Sequence, residues 1–317
     1  MAEAAAAPDA ISLAADDLVL PFQLHHPRPP GPRIGGKLVR LGPLVDGAIR
    51  RHAYPAPVAA LVAELLALAG GLGATLKFDG VFSLQVQSEG PVRLIVADVT
   101  HAGGMRAYAR FDAAAVAAAA AKDGGAPVPT LLGKGYLAFT VDQGPKTERY
   151  QGIVALEGDT LTACAQHYFR QSQQLDTALI LAAGRRAGRE GGAWRAAALI
   201  LQRLPVAPHA SEDALDPWRA AMLLMATCGE DELLDPALTP EELLFRLFHE
   251  MGVRVTPARS LAFACRCSRK RAEEVLRRLP PEELAGFKVE GRITVTCEFC
   301  NTTHLFEEAE VDAFNSR

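Results

Sequence analysis

The chain has 317 residues, enough for one sizeable domain and one or two small ones. Its formal net charge of −4 at pH 7 gives no electrostatic reason to expect a nucleic acid or an anionic membrane as a partner. Its six cysteines are too few for the disulfide framework of a secreted scaffold.

The N-terminal residues predict a flexible extension over 1–35. Its first part, 1–17, is rich in alanine and lacks the basic stretch and apolar core of a signal peptide. Residues 27–36 contain four prolines and three glycines, which predicts a loop. A phosphate-binding loop is nearly matched from Gly31 to Lys37, but Leu38 stands where that motif needs a Ser or Thr for magnesium. No nucleotide site is therefore predicted here.

Two apolar segments predict helices, at 44–52 and 57–70. The stretch 55–76 contains one charged residue, Glu64, and resembles a membrane span in length. It is rich in alanine and glycine, however, and continues directly into a polar, alternating segment. This pattern favours a buried core helix and no membrane partner.

Alternating apolar and polar residues predict the strands of an α+β core domain, which we place at 36–204. The predicted strands are 82–87, 92–99, 105–111, 136–141, 149–156, 177–183 and 193–204. Because their connections are short, we expect mainly antiparallel pairing. A helix is predicted from 159 to 170, whereas the alanine run 113–121 is interpreted as a surface insertion.

From 205 to 260 the pattern predicts a helical linker. Thr239-Pro240-Glu241-Glu242 has a threonine N-cap, a proline at the first helical position and a glutamate that can reach back to the cap. This helix and an upstream one, at about 211–228, are short and amphipathic. We expect both to be stable only when they pack against a neighbour.

Four cysteines form a metal-binding pattern in the C-terminal segment, 261–317. They are the pair Cys265 and Cys267 and the pair Cys297 and Cys300, separated by 29 residues. Four thiolates bind one zinc ion tetrahedrally in closed, structural sites. We therefore predict one Zn²⁺ per chain in the reduced protein, with four thiols or disulfides without metal as the alternative. The two remaining cysteines, Cys164 and Cys228, are expected to pack in the interior, with a secondary redox role as the alternative.

These cysteines and several other strings resemble the heat-shock protein 33 family of redox-regulated chaperones. The other strings are His52-Ala-Tyr-Pro55, Ala74-Thr-Leu-Lys-Phe-Asp-Gly80, Gly133-Lys-Gly-Tyr136, Arg149-Tyr-Gln-Gly-Ile-Val-Ala-Leu-Glu-Gly-Asp159 and Phe245-Arg-Leu-Phe-His-Glu250. The resemblance covers about residues 45–310. The chain departs from the family pattern in its long N-terminal extension, in the alanine run, and at 301–304, where a glycine-containing turn is common.

The resemblance implies an ATP-independent chaperone, a holdase rather than an enzyme, that oxidation activates. It implies loss of zinc, unfolding of the C-terminal module and the linker, and binding of unfolded or partly unfolded client proteins. It also implies a homodimer in the oxidised state and two disulfides, Cys265–Cys267 and Cys297–Cys300. Neither disulfide would span the 29-residue gap between the pairs, so neither would hold the module together.

Two other functions fit parts of the pattern. A zinc ribbon that binds nucleic acid is suggested by Arg269-Lys270-Arg271, but the chain from Cys265 onward has nine Lys or Arg against ten Asp or Glu. A thiol–disulfide oxidoreductase is disfavoured because the CxxC pair lies late in the chain without a βαβ pattern around it. A zinc hydrolase is disfavoured because a closed four-cysteine site leaves no position for water. Clustered thiols and the absence of a signal-peptide pattern predict a cytoplasmic location, and the resemblance implies a role in the stress response.

Overall fold

The computed structural model describes residues 16–25, 34–73, 79–121, 127–144, 147–173, 176–186, 192–204, 217–286, 288–289 and 291–315. Several sequence predictions lie outside these ranges: the N-terminal extension over 1–15, most of the loop at 27–33, the matching string at 74–78 and the start of the linker at 205–216.

The first sheet joins strands that are far apart in the chain. Its strands are β1 (Leu18–Leu24), β2 (Ile34–Leu41), β8 (Thr177–Arg186), β9 (Ala193–Arg203), β10 (Val253–Val255) and β11 (Arg259–Ser260). Their order is β10-β1-β2-β9-β8, and β11 also pairs with β1. All these pairs are antiparallel.

The second sheet is built mostly from consecutive strands. They are β3 (Val81–Ser88), β4 (Val92–Thr100), β5 (Gly104–Phe111), β6 (Gly135–Asp142), β7 (Tyr150–Ala155) and β12 (Ala262–Phe263). The order is β12-β5-β4-β3-β6-β7, antiparallel except where β12 runs parallel to β5. A third, antiparallel sheet follows near the C-terminus, made of β13 (Lys288–Val289), β14 (Arg292–Thr296) and β15 (Thr303–Glu307).

The helices lie between and outside the sheets. They are α1 (Pro43–Arg50), α2 (Ala56–Gly73), α3 (Ala113–Ala120), α4 (Leu161–Tyr168), α5 (Pro217–Ala226), α6 (Glu230–Leu234), α7 (Pro240–Phe248), α8 (Arg269–Leu276), α9 (Pro281–Gly286) and α10 (Glu308–Asn315). Val128–Leu132 and Phe169–Gln173 form π-helical turns, and His249–Met251 form a 3₁₀ turn. The predicted fold class, mixed helix and sheet with mainly antiparallel strands, is confirmed.

Helix α2 lies between the two large sheets and forms the centre of the main core. It contacts β2, β8 and β9 of the first sheet and β3, β4 and β5 of the second. By length and composition this helix could cross a membrane, but 72% of it is buried within the fold. Gly71 permits the close approach to β9, since a Cβ there would lie 2.6 Å from the Ile200 Cδ1 atom. The prediction of a buried core helix is confirmed.

A second core fills the space between the outer face of the first sheet and α5, α6 and α7. The strands contribute Leu20, Phe22 and Leu38, and the helices contribute Trp218, Leu243, Leu244, Leu247 and Phe248. Arg40 is 1% exposed in this layer. Its guanidinium donates hydrogen bonds to the main-chain carbonyls of Leu238, at 3.1 Å, and Asp235. The predicted linker helices therefore pack directly on the core domain.

Three sequence expectations need correction. Leu18–Leu24 is a strand of the first sheet rather than part of a flexible extension, because its alternate side chains are buried against the helices of the second core. The alanine run lies mostly at the surface, as expected, but it forms a helix, α3, capped by the Asp112 carboxylate, and its Val116 is 1% exposed in the main core. The linker is not wholly helical, since Val253–Val255 and Arg259–Ser260 pair with β1.

Candidate metal centre

The first cysteine pair lies in a short extended connection. Cys265 comes two residues after β12, and Cys267 comes immediately before Ser268, the N-cap of α8. The Ser268 side chain accepts a hydrogen bond from the Arg271 amide, which fixes where the helix begins. The pair is thus held between the second large sheet and the first helix of the C-terminal module.

The second pair lies in the tight turn between β14 and β15. The Asn301 amide donates to the Cys297 carbonyl at 2.8 Å, and the Cys297 amide donates to the Thr302 carbonyl at 2.9 Å. Asn301 has a φ of 58°, in the left-handed region that asparagine tolerates better than most side chains. Asparagine can therefore close this turn without a glycine.

The four sulfur atoms converge on one point. All four lie within 4.8 Å of one another. The Cys265 and Cys297 sulfurs are 3.6 Å apart, and the Cys267 and Cys300 sulfurs are 3.3 Å apart. Tetrahedral coordination with metal–sulfur bonds of about 2.3 Å would place sulfurs about 3.8 Å apart. The four cysteines are therefore close enough to bind one metal ion together.

The protonation of these thiols depends on their mutual contacts. Burial raises the pKa of the Cys267 thiol, and its hydrogen bonds with Cys300 and Cys265 raise it further. Burial also raises the pKa of Cys297. At Cys300 burial is outweighed by hydrogen bonds from the Thr302 hydroxyl and amide, which lower its pKa to about 6. A metal ion that binds these sulfurs would displace the thiol protons.

The residue inside the first pair attaches the module to the second sheet. The Arg266 guanidinium donates to the Asp98 carboxylate of β4 at 2.8 Å. Asp98 is 4% exposed and also accepts hydrogen bonds from Arg106, at 2.8 Å, and from the Ser83 hydroxyl, at 2.5 Å. These donors satisfy the buried carboxylate oxygens with hydrogen bonds, which a buried polar group requires. Arg266 is therefore part of a buried ion-pair network that includes the core.

Phe299, inside the second pair, docks on the same sheet. The Arg106 guanidinium lies 3.8 Å above its ring, and the Tyr108 ring packs edge-on at 4.8 Å. The His52 ring nitrogen lies 3.2 Å from the Phe299 carbonyl. Asn301 adds a bond to the Arg51 carbonyl, at 3.0 Å. Phe299 and Asn301 therefore hold the module against β5 and the end of α1.

The structure brings the four predicted ligands together and leaves the other two cysteines apart from them. Cys164 is fully buried in α4, and Cys228, after α5, is 8% exposed. Burial raises the pKa of each thiol to about 11. Sequence reasoning missed the docking roles of Arg266 and Phe299. Their position between paired ligands was the signal that could have suggested them.

The fold and this site can be compared with known proteins. A family model described as Hsp33 protein matches residues 30–307. The 33 kDa chaperonin of Caulobacter vibrioides is 41% identical over 293 residues, which cover 92% of this chain and 95% of that protein. The 33 kDa chaperonin of Proteus mirabilis is 36% identical over 284 residues, which cover 89% and 92%.

A solved structure supports the same relationship at the level of the fold. The 33 kDa chaperonin, a heat shock protein 33 homolog, of Thermotoga maritima matches with a TM-score of 0.76 at 22% identity and covers 95% of this chain and 98% of that one. The family model and the sequence relatives carry the assignment. The chain belongs to the Hsp33 family of chaperonins.

Proposed function

We propose that this protein is an ATP-independent holdase that oxidation of Cys265, Cys267, Cys297 and Cys300 activates. Activation releases the C-terminal module and the linker and exposes surface that binds unfolded or partly unfolded proteins. The observation that carries this proposal is the position of Arg266 and Phe299. Each lies between two clustered cysteines and each contacts the core, so a change at the sulfurs displaces the contacts that hold the module in place.

The donor set fits zinc. Four cysteine sulfurs within 4.8 Å of one another match the closed, structural type of zinc site. Bound there, zinc would act as a crosslink between the two cysteine pairs and supply folding energy to a module with a small core. That core comprises Ala272, Leu276, Leu284, Ile293, Phe306 and Val311. Small domains of this kind depend on such a crosslink for stability.

Oxidation acts on the same four sulfurs. Two thiolates form one S–S bond and lose two electrons, which one molecule of hydrogen peroxide takes up with two protons to give two molecules of water. We propose the pairs Cys265–Cys267 and Cys297–Cys300. Neither disulfide connects β12 to the turn before β15, so the two halves of the module are no longer joined through the site.

Loss of the module would in turn affect the linker. The linker segment between α7 and Cys265 is held by short pairings, with three residues of β10 and two of β11 on β1. We propose that residues 205–260 act as this linker and 261–317 as the redox-switch module, on a core domain at 36–204. Unfolding of α5 and α7 would uncover apolar side chains of the second core.

The nucleic-acid alternative loses support from the ion pairs of the module. Arg269 pairs with Glu310 at 2.9 Å and Arg277 pairs with Glu273. Basic residues neutralised in this way give no continuous positive surface for a phosphate backbone. We propose that the protein acts in the cytoplasm by binding clients rather than by catalysis, and as a homodimer once oxidised.

The proposal is tested by light scattering of a thermally unfolding client protein, without ATP. The chaperone is added either reduced and zinc-loaded or oxidised with peroxide. We expect the oxidised sample alone to suppress aggregation. Equal suppression by both samples would contradict the redox switch, and suppression by neither would contradict the holdase.

A further inference from the structure

A strand from the linker end closes one edge of the second sheet. The segment 259–264, Arg-Ser-Leu-Ala-Phe-Ala, leaves β11 on the first sheet and continues as β12 on the second. It ends one residue before Cys265. The β5 edge is therefore occupied by a short piece of the chain that leads directly into the candidate metal centre.

Main-chain hydrogen bonds hold this segment in its place. The Ala262 amide donates to the Gly103 carbonyl at 3.1 Å, and the Ala264 amide donates to the Met105 carbonyl at 2.8 Å. The Leu261 amide donates to the Asp17 carbonyl at 2.7 Å. In an extended strand alternate amides point to opposite sides, so the Phe263 amide points away from β5.

Alternate side chains of the segment fill apolar sites beside the edge. Leu261 is 4% exposed and belongs to the main core. Phe263 packs against the same core, with the Arg51 guanidinium 4.2 Å from its ring centroid. Ala262, between them, is exposed. The edge thus accepts an apolar side chain at every second position of an extended strand.

Two glycines make room for the incoming backbone. A Cβ at Gly103 would lie 2.5 Å from the Ser260 carbonyl oxygen, and a Cβ at Gly104 would lie 2.9 Å from the Ala264 Cβ. Larger residues at either position would push the segment away from the edge. The edge is therefore shaped for a closely approaching extended chain.

We propose that the β5 edge is a docking site for an extended, apolar segment of an unfolded client, which takes the place of 259–264 after activation. This inference rests on the proposed function and names a surface for it. The occupant follows from what the site already binds, which is an extended strand held by its backbone. Main-chain pairing places no demand on side-chain identity, and apolar residues at alternate positions are common in unfolded proteins.

In the folded state the segment 259–264 covers the β5 edge, because the docked module holds this segment next to it. β12 has two residues and pairs with β5 alone among the strands that the structure describes. Its position depends on the docked module that begins at Cys265. Release of the module removes this tether and leaves the Gly103 and Met105 carbonyls free to accept amides from another chain.

The test uses a fluorescent peptide with the sequence of 259–264 and the full-length protein. One peptide variant is N-methylated at the nitrogens of Ala262 and Ala264, which removes both donors to the β5 edge. The matched control is N-methylated at Phe263, whose amide points away. Binding is followed by fluorescence anisotropy with the reduced, zinc-loaded protein and with the oxidised, metal-free protein.

We expect the unmodified and control peptides to bind the oxidised protein at least tenfold more tightly than the reduced protein. The doubly methylated peptide should bind at least tenfold more weakly than the control. Equal binding of all three peptides would overturn the strand site, as would the absence of binding in a sample that suppresses aggregation. Selective binding in a sample without holdase activity would support the strand site and contradict the proposed function.

Discussion

The Arg266 guanidinium lies 2.8 Å from the Asp98 carboxylate, although the two residues are 168 positions apart in the chain. Arg266 is flanked on both sides by candidate metal ligands, whereas Asp98 is buried in β4. This ion pair is a direct physical connection between the cysteine cluster and the core domain. Much of the proposed switch depends on it.

Replacing Arg266 should loosen the module while all four cysteines remain. We expect Arg266→Met to cost about 1–2 kcal/mol of docking energy, because a charge-assisted bond to a buried carboxylate is lost. The undocked population should then rise about tenfold. Amide hydrogen exchange over 292–307 and the rate of peroxide-driven zinc release both report this change.

The matched control is Arg277→Met, which breaks an ion pair with Glu273 at the end of α8, outside 292–307, and leaves the contact with Asp98 intact. Amide exchange over 292–307 is compared between the two variants at equal zinc occupancy. Equal exchange and equal release rates in the two variants would contradict the coupling role of Arg266.

A charge placed beneath α7 should open the linker in the reduced protein. Leu247 is 6% exposed in the second core, so Leu247→Glu buries a carboxylate without a partner and should cost about 3 kcal/mol or more. We expect partial suppression of client aggregation before any oxidation. Phe245→Glu is the control, because Phe245 lies on the same helix and is 65% exposed. Activity in the control variant, or none in Leu247→Glu, would contradict a masked client surface.

Glu64 should make the core domain less stable as the pH rises. Burial, together with the charge of Glu230, raises the pKa of Glu64 to about 7. The folded state therefore holds a proton that the unfolded state loses near its ordinary pKa. The contribution of Glu64 to the free energy of unfolding is fully present below about pH 4.5. It is lost as the pH rises through about 7.

We expect Glu64→Gln to remove that loss. The variant should gain on the order of 3 kcal/mol relative to the native protein at pH 8, and much less at pH 5. Urea unfolding at both pH values measures this, with the exposed Glu89→Gln as control. If the free energy of unfolding differs by the same amount between Glu64→Gln and the native protein at both pH values, the raised pKa of Glu64 is contradicted.

The two isolated cysteines should report which part of the protein unfolds. Cys164 lies in the main core, whereas Cys228 lies among the linker helices of the second core. After peroxide treatment and zinc removal we expect Cys228 to react with a maleimide while Cys164 stays protected. Peptide mass spectrometry identifies the labelled residue, and the reduced, zinc-loaded protein should protect both. Protection of Cys228 in the oxidised sample would mean that the linker stays folded.

Local patterns predicted the regular parts of the fold well. Alternation predicted β3, β4, β5 and β6, because each has one face buried against the main core. The capping box at Thr239 is present with both of its hydrogen bonds. The cysteine spacing predicted the convergence of the four sulfurs, since ligands of one ion must lie close together.

The remaining elements depend on partners distant in the chain. β10, β11 and β12 have two or three residues each, too few for any periodicity, and their position is fixed by the edges of β1 and β5. β1 carries a proline and precedes a proline-rich stretch of sequence, which obscured its apolar alternation. The contacts of Arg266 and Phe299 with the core follow from tertiary packing alone. Their position between paired ligands marks both residues as neighbours of the site, but it does not say which part of the core they contact.

Loss of the metal from the four thiolates is proposed to release client-binding activity. The most direct measurement titrates the zinc-loaded protein with peroxide and follows, in the same samples, zinc release with a chromogenic chelator and suppression of client aggregation by light scattering. We predict that suppression rises in proportion to the zinc released and that both reverse when the thiols are reduced and zinc is restored. Complete zinc release with no gain in suppression would contradict the account.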